Sequence, residues 1–111
     1  MLNNVIERVK AIAAENPYGF TLSVPTCEPI LFGIVVAHLD TQDSFGDEGL
    51  LECLVHALEN DKVLGGWKNE DGTMQYDSCK VFTSLSEALA FAKENNQRAI
   101  FNLTTLEEIK L

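Results

Sequence analysis

The eight residues from Leu31 to His38 (LFGIVVAH) are the most apolar and β-branched run in the chain, and no other feature narrows the possible folds as much. β-Branched side chains pack well on a pleated surface and crowd the preceding turn of a helix. A run of this length, without polar alternation until its end, predicts a central strand covered on both faces. Such a strand needs partners beside it and layers over it, and the flanking sequence offers both.

Leu2, Val5, Ile6, Val9, Ile12 and Ala13 recur at spacings of three and four, which predicts an amphipathic helix ending before Asn16-Pro17. Gly19 to Val24 alternates like a half-buried strand, and Pro25 and Pro29 bracket the loop that stops it. The polar stretch Leu39 to Gly46 leads into a helix carrying Leu50, Leu51, Leu54, Val55 and Leu58, capped by Ser44 or Asp47 and ending near Asn60. Val63–Lys68 and Met74–Phe82 read as strands about Asn69-Glu70-Asp71-Gly72-Thr73, where Asp71-Gly72 is the strongest turn signal of the chain. Ser84-Leu85-Ser86-Glu87 has capping-box spacing and opens a helix to about Asn95. Arg98–Leu103 is a further strand, and Thr105-Leu106-Glu107-Glu108 suggests a last short turn. The order α-β-β-α-β-β-α-β predicts an α+β fold, a mainly antiparallel sheet of about five strands covered by three helices. With no internal repeat, low-complexity tract or linker composition, residues 1–111 are expected to form a single globular domain.

A chain of 111 residues with 46% hydrophobic content fills a core without a metal or disulfide staple. Cys27, Cys53 and Cys79 are odd in number and widely spaced, which argues against a disulfide framework or a CxxC metal site and suits a reducing cytoplasm. The first residues lack the basic start and apolar run of a secretory signal. The longest apolar stretch falls far below the roughly 20 residues that cross a bilayer, so no membrane association is expected. Seventeen acidic residues against eight basic ones give a net charge of -9, which repels phosphate backbones and disfavours direct nucleic-acid binding. The same charge suits a basic protein surface, or imitation of DNA toward a DNA-binding protein.

Acidic, hydroxyl and imidazole groups gather after the apolar run as His38, Asp40, Asp43 and Ser44, with Glu48 beyond, and these are the candidate catalytic residues. Two aspartates three positions apart fall short of a calcium loop, and two histidines, His38 and His56, without HExxH or HxH spacing fall short of a zinc site. Neither a metal nor a cofactor is expected. Elbows of GxSxG form, Walker A loops and GxGxxG fingerprints are all missing. Cys53 falls mid-helix, Cys79 in a strand, and Cys27 in the loop between prolines, where it is the most exposed of the three and Glu28 raises its pKa. The most distinctive stretch is Gly65-Gly66-Trp67, followed across the turn by Tyr76-Asp77-Ser78. Paired glycines beside the only tryptophan permit close approach of another backbone, so Trp67, Tyr76 and Asp77 are the candidate binding residues, against the alternative that Trp67 plugs the core. Asn95, Asn96 and Gln97 read as a helix cap and turn.

Thr41-Gln42-Asp43-Ser44-Phe45-Gly46, Gly65-Gly66-Trp67, Tyr76-Asp77-Ser78 and Asn95-Asn96-Gln97-Arg98-Ala99-Ile100-Phe101 together resemble segments of a family of small uncharacterised bacterial proteins found among phage and conjugative-element genes. The resemblance runs from about Tyr18 onward. It implies an accessory cytoplasmic protein of a mobile element, acting on a host or element protein, and brings with it no activity, cofactor or catalytic residue. The sequence therefore leads to a noncatalytic, acidic protein-interaction or regulatory module whose partner is another protein. Two alternatives come from other classes: a small hydrolase or ligand-binding enzyme with its site around residues 38–48, and a structural homo-oligomer joined along a sheet edge.

Overall fold

The computed structural model describes residues 2–111. Its elements run α1 (Leu2–Glu15), β1 (Phe20–Ser23), β2 (Glu28–Pro29), β3 (Ile34–Ala37), a 3₁₀ turn at Leu39–Thr41, β4 (Ser44–Phe45), α2 (Gly46–Glu59), β5 (Val63–Lys68), β6 (Met74–Phe82), α3 (Leu85–Glu94), β7 (Ala99–Asn102) and β8 (Glu107–Lys110). The strands pair antiparallel in one sheet of order β2-β1-β5-β6-β3-β7-β8, with β4 also paired to β6.

The fold is α+β with three helices among the described residues, but the sheet has eight strands where about five are expected. Two of the additions, β2 and β4, are only two residues long, too short for a period-2 pattern to show. The third corrects the end of the chain. Glu107–Lys110 is a strand, and the turn lies just before it, where Asn102 Oδ1 accepts from the backbone N–H groups of Thr104 and Thr105 at 2.9 and 3.2 Å and Leu106 takes φ 62°. With Ile109 its only apolar residue, β8 carries too little signal to be read as a strand. The apolar run also needs correction. β3 is interior to the sheet but covers only Ile34–Ala37, and Leu31 and Phe32 are 63% and 73% exposed.

The hairpin and α3 form where the sequence places them. Asp71 Oδ1 accepts from Thr73 N at 3.0 Å and from Thr73 Oγ1 at 2.6 Å, and Gly72 takes φ 90°, so the Asp-Gly turn joins β5 to β6. Ser84 Oγ accepts from Glu87 N at 3.4 Å at the start of α3. α2 starts differently from expectation. Phe45 occupies its N-cap with no side-chain bond, Ser44 Oγ donates to the Thr41 carbonyl at 2.8 Å, and Asp47 sits inside the first turn, where its charge favours the positive helix end.

Alternation along β6 assigns the two faces of the sheet. Tyr76, Ser78, Lys80 and Phe82 point one way, and their registered neighbours Leu64, Val36 and Ile34 share that side. All three helices lie there. α1 and α2 bury Val9, Leu50, Cys53, Leu54 and Ala57 against Leu22, Leu64 and Tyr76, while α3 buries Ala88 and Ala92 against Ile34, Val36 and Ile100. Each fully buried leucine in this layer contributes about 1.5–3 kcal/mol of transfer free energy. The opposite face has no helix over it, so Val35 and Ala37 of β3 are half-buried and the expected cover on both sides is one-sided.

Candidate functional site

The residues proposed from the polar loop after β3 separate into two environments. His38 and Asp40 reach the helical side of the sheet. His38 Nε2 meets Asp61 Oδ2 at 2.8 Å, its ring packs edge-on against His56 at 4.8 Å between centroids, and it packs on Phe91 at 5.0 Å. His56 Nδ1 meets Ser78 Oγ at 2.7 Å and its Nε2 meets Asp40 Oδ2 at 3.3 Å. These groups form a polar seam where the α1/α2 core meets the α3 core, and Asn95 ties it to α3 by accepting from Leu39 N at 3.0 Å. Ser44 and Asp43 lie apart from the seam: the Ser44 hydroxyl is bonded to Thr41, and Asp43 is exposed at φ 60°.

The chain Ser78–His56–Asp40 was not legible in the sequence, because its members lie on β6, α2 and the 3₁₀ turn and meet only through tertiary packing. It has the residue types of a nucleophilic triad, in which an imidazole takes the serine proton and a carboxylate orients the ring. Ser78 is fully buried, however, with Thr41 Oγ1 accepting from its backbone N–H at 2.9 Å, so no carbonyl reaches its Oγ. The chemistry open to it is internal hydrogen bonding. Among the described residues no group of three His, Cys, Asp or Glu side chains converges as metal ligands.

Trp67, Tyr76 and Asp77 also part company. Trp67 pairs with Gln75 and Tyr76 with Gly66, so the two aromatic side chains point to opposite faces and do not form a joint ribbon. Tyr76 is 6% exposed in the core, 6.4 Å from the Phe20 ring, and burial raises its hydroxyl pKa, with the Asp47 charge adding to the rise. Trp67 is 39% exposed on the helix-free face, its indole N–H donating to Asn69 Oδ1 at 3.3 Å. The paired glycines admit side chains rather than a foreign backbone: a Cβ on Gly66 falls 2.5 Å from Phe20 Cζ, and one on Gly65 falls 3.0 Å from Cys79 Sγ.

Asp77 shares the helix-free face with Trp67. That face is a trough of about 830 Å³ running from Thr21 of β1, across Gly65, Trp67, Gln75 and Asp77, to Val35 of β3 and Phe101 of β7. Gln42 and the segment Asn96–Phe101 also line it. Tyr18, Leu31 and Leu106, strongly exposed, stand around its walls. Asp77 lines the trough yet is 2% exposed, and its Oδ2 is sealed from solvent without a hydrogen-bond partner. Burial pushes this carboxyl up from 3.8 to about 8, with repulsion from Asp43 adding to the rise. A buried, unsatisfied carboxyl in an apolar concavity is costly to folding, which is the pattern of a group kept for something other than stability.

The three thiols are all free and buried. Cys27 lies in the α1/α2 core at 3% exposure, which corrects the expectation that the proline loop exposes it, and burial rather than Glu28 raises its pKa, with Arg8 partly opposing. Burial likewise raises Cys53 and, well above the usual thiol value, Cys79. No helix among the described residues is long and apolar enough to cross a membrane. No protein-family model, curated protein or solved structure matches the chain.

Proposed function

We propose that this chain is a noncatalytic binding module that captures a partner protein on the helix-free face of its sheet. One observation carries the reading: the apolar trough opposite the helices holds at its floor a buried carboxyl oxygen that the fold leaves without a partner. A segment that is apolar along its length and brings one hydrogen-bond donor covers the exposed apolar walls and meets the Asp77 carboxyl through the oxygen other than the sealed Oδ2. The net charge of -9 favours a basic partner and speeds the encounter through long-range attraction. An accessory role in the cytoplasm, on behalf of a mobile element and directed at a host or element protein, is the context this reading takes from the family resemblance.

The hydrolase alternative draws less support, since His38, Asp40 and Ser44 are each engaged in internal hydrogen bonds. The test is capture from native lysate by the tagged wild-type protein and by a Trp67→Ala, Leu106→Ala double variant, with folding checked by circular dichroism. Both positions are exposed, so the variant is expected to fold, retain its helical signal and lose the wild-type partner at least tenfold. Equal recovery of the same stoichiometric partner by both proteins would remove the trough from the interaction.

A further inference from the structure

This inference rests on the trough being the binding face and names what its floor recognises. We propose that the trough receives a primary alkylammonium group, the lysine side chain of a basic partner protein, with the amine on Asp77 and the carbon stem along Val35, Ala37 and Phe101.

Three observations select that chemistry. First, the fold supplies no counter-charge. Asp43, in the turn before β4, has the same sign; Cys79 on the same strand and Cys53 from α2 bring only thiols; and the neighbouring strand presents Gly65. Among the described residues neither Lys68 nor Arg98, both on the trough walls, forms an ion pair with Asp77, so a cation that pairs with its carboxylate comes from outside. Second, Oδ2 is sealed, so an occupant meets at most one carboxylate oxygen at a time. A guanidinium fork needs two oxygens in one plane, whereas an ammonium is a point charge on a flexible stem and needs one. Gln42 and Gln75 line the same trough and offer amide oxygens to the remaining ammonium hydrogens. Third, with 17 acidic against 8 basic residues, the chain attracts basic proteins as a whole and repels anionic ones.

Binding then moves one proton. The carboxyl of the free protein, pushed up to about 8, holds its proton at neutral pH; the arriving ammonium stabilises the carboxylate, and the proton leaves to solvent. Affinity therefore rises with pH between about 6 and 8, as less work is needed to remove that proton.

The experiment follows the fluorescence of the single tryptophan as n-hexylammonium, n-hexylguanidinium or n-hexanol is added to the wild-type protein and to Asp77→Asn. In the wild type, n-hexylammonium is expected to bind at least tenfold more tightly than n-hexanol and more tightly than n-hexylguanidinium. Calorimetry in buffers of different ionisation enthalpy is expected to show a proton released on binding at pH 7, and Asp77→Asn is expected to abolish both the preference and the release. Equal binding of the amine and the alcohol to the wild type overturns the ammonium assignment while leaving the trough as the binding face. Saturable binding of none of the three overturns the trough itself, and tighter binding of the guanidinium overturns the choice of lysine. A capped pentapeptide with a central lysine, compared with its norleucine counterpart, decides the source. Lysine-dependent binding at least as tight as that of n-hexylammonium supports a protein partner, and exclusion of the peptide while n-hexylammonium binds overturns it in favour of a free amine.

Discussion

Between about pH 4 and pH 8 the unfolded chain has released the Asp77 proton and the folded chain keeps it, because the folded pKa lies near 8 against 3.8 for the free side chain. Unfolding therefore releases a proton in that window, and the Asp77 contribution to stability falls as pH rises through it. Asp77→Asn removes the titration. It is expected to be more stable than the wild type by a few kcal/mol at pH 8, with the gap closing toward pH 4, as measured by urea unfolding across that range. Equal pH slopes for the two proteins would contradict the burial of that carboxyl. Ser78→Ala is expected to have the opposite sign. It leaves His56 Nδ1 without its partner in a part-buried seam, at a cost of about 1–3 kcal/mol, and urea unfolding at pH 7 checks it. The buried thiols of Cys27, Cys53 and Cys79 are expected to stay unmodified by an aromatic disulfide reagent while the native state persists, and to react completely in denaturant.

At the level of elements, local chemistry tracked the sequence closely. The spacing of Val5, Ile6, Val9, Ile12 and Ala13 gives α1, the Asp71-Gly72 turn gives the β5–β6 hairpin, and Ser84 opens α3, because each is decided within a few neighbouring residues. Ser84→Ala is accordingly expected to cost about 1 kcal/mol, seen as a lower thermal midpoint. What escaped the sequence depends on partners far along the chain. β2 and β4 exist only as pairings to β1 and β6, and β8 is a strand because β7 offers it an edge. Gly66 belongs to this group as well. Its place opposite the Phe20 ring makes Gly66→Ala an overpacking change, expected to destabilise by about 1–3 kcal/mol in denaturant titration. The sheet edges end in β2, which carries Pro29, and in β8, which carries Glu107, Glu108 and Lys110, and such edges discourage strand-to-strand joining of copies.

For the molecule as a whole, the sequence grouped side chains that the sheet separates. Trp67 and Asp77 share a face while Tyr76 lies on the other, a separation set by the β5–β6 register that no single strand reveals. The trough itself needs Gln42, the hairpin and Asn96–Phe101 at once, and only the assembled sheet brings them together. One layer of helices on one face leaves an acidic molecule with an apolar hollow on the other, and in the proposed function a basic partner is drawn to the first property and held by the second. The association rate with that partner is expected to drop by at least about tenfold from low to high salt, while the dissociation rate changes little. The most direct measurement is an amide-proton NMR titration of the labelled protein with n-hexylammonium, read residue by residue. Saturable shifts centred on Val35, Trp67 with its indole N–H, Gln75, Asp77 and Phe101 are the expected result; shifts on α2 and α3 instead, or none at all, would contradict a binding face opposite the helices.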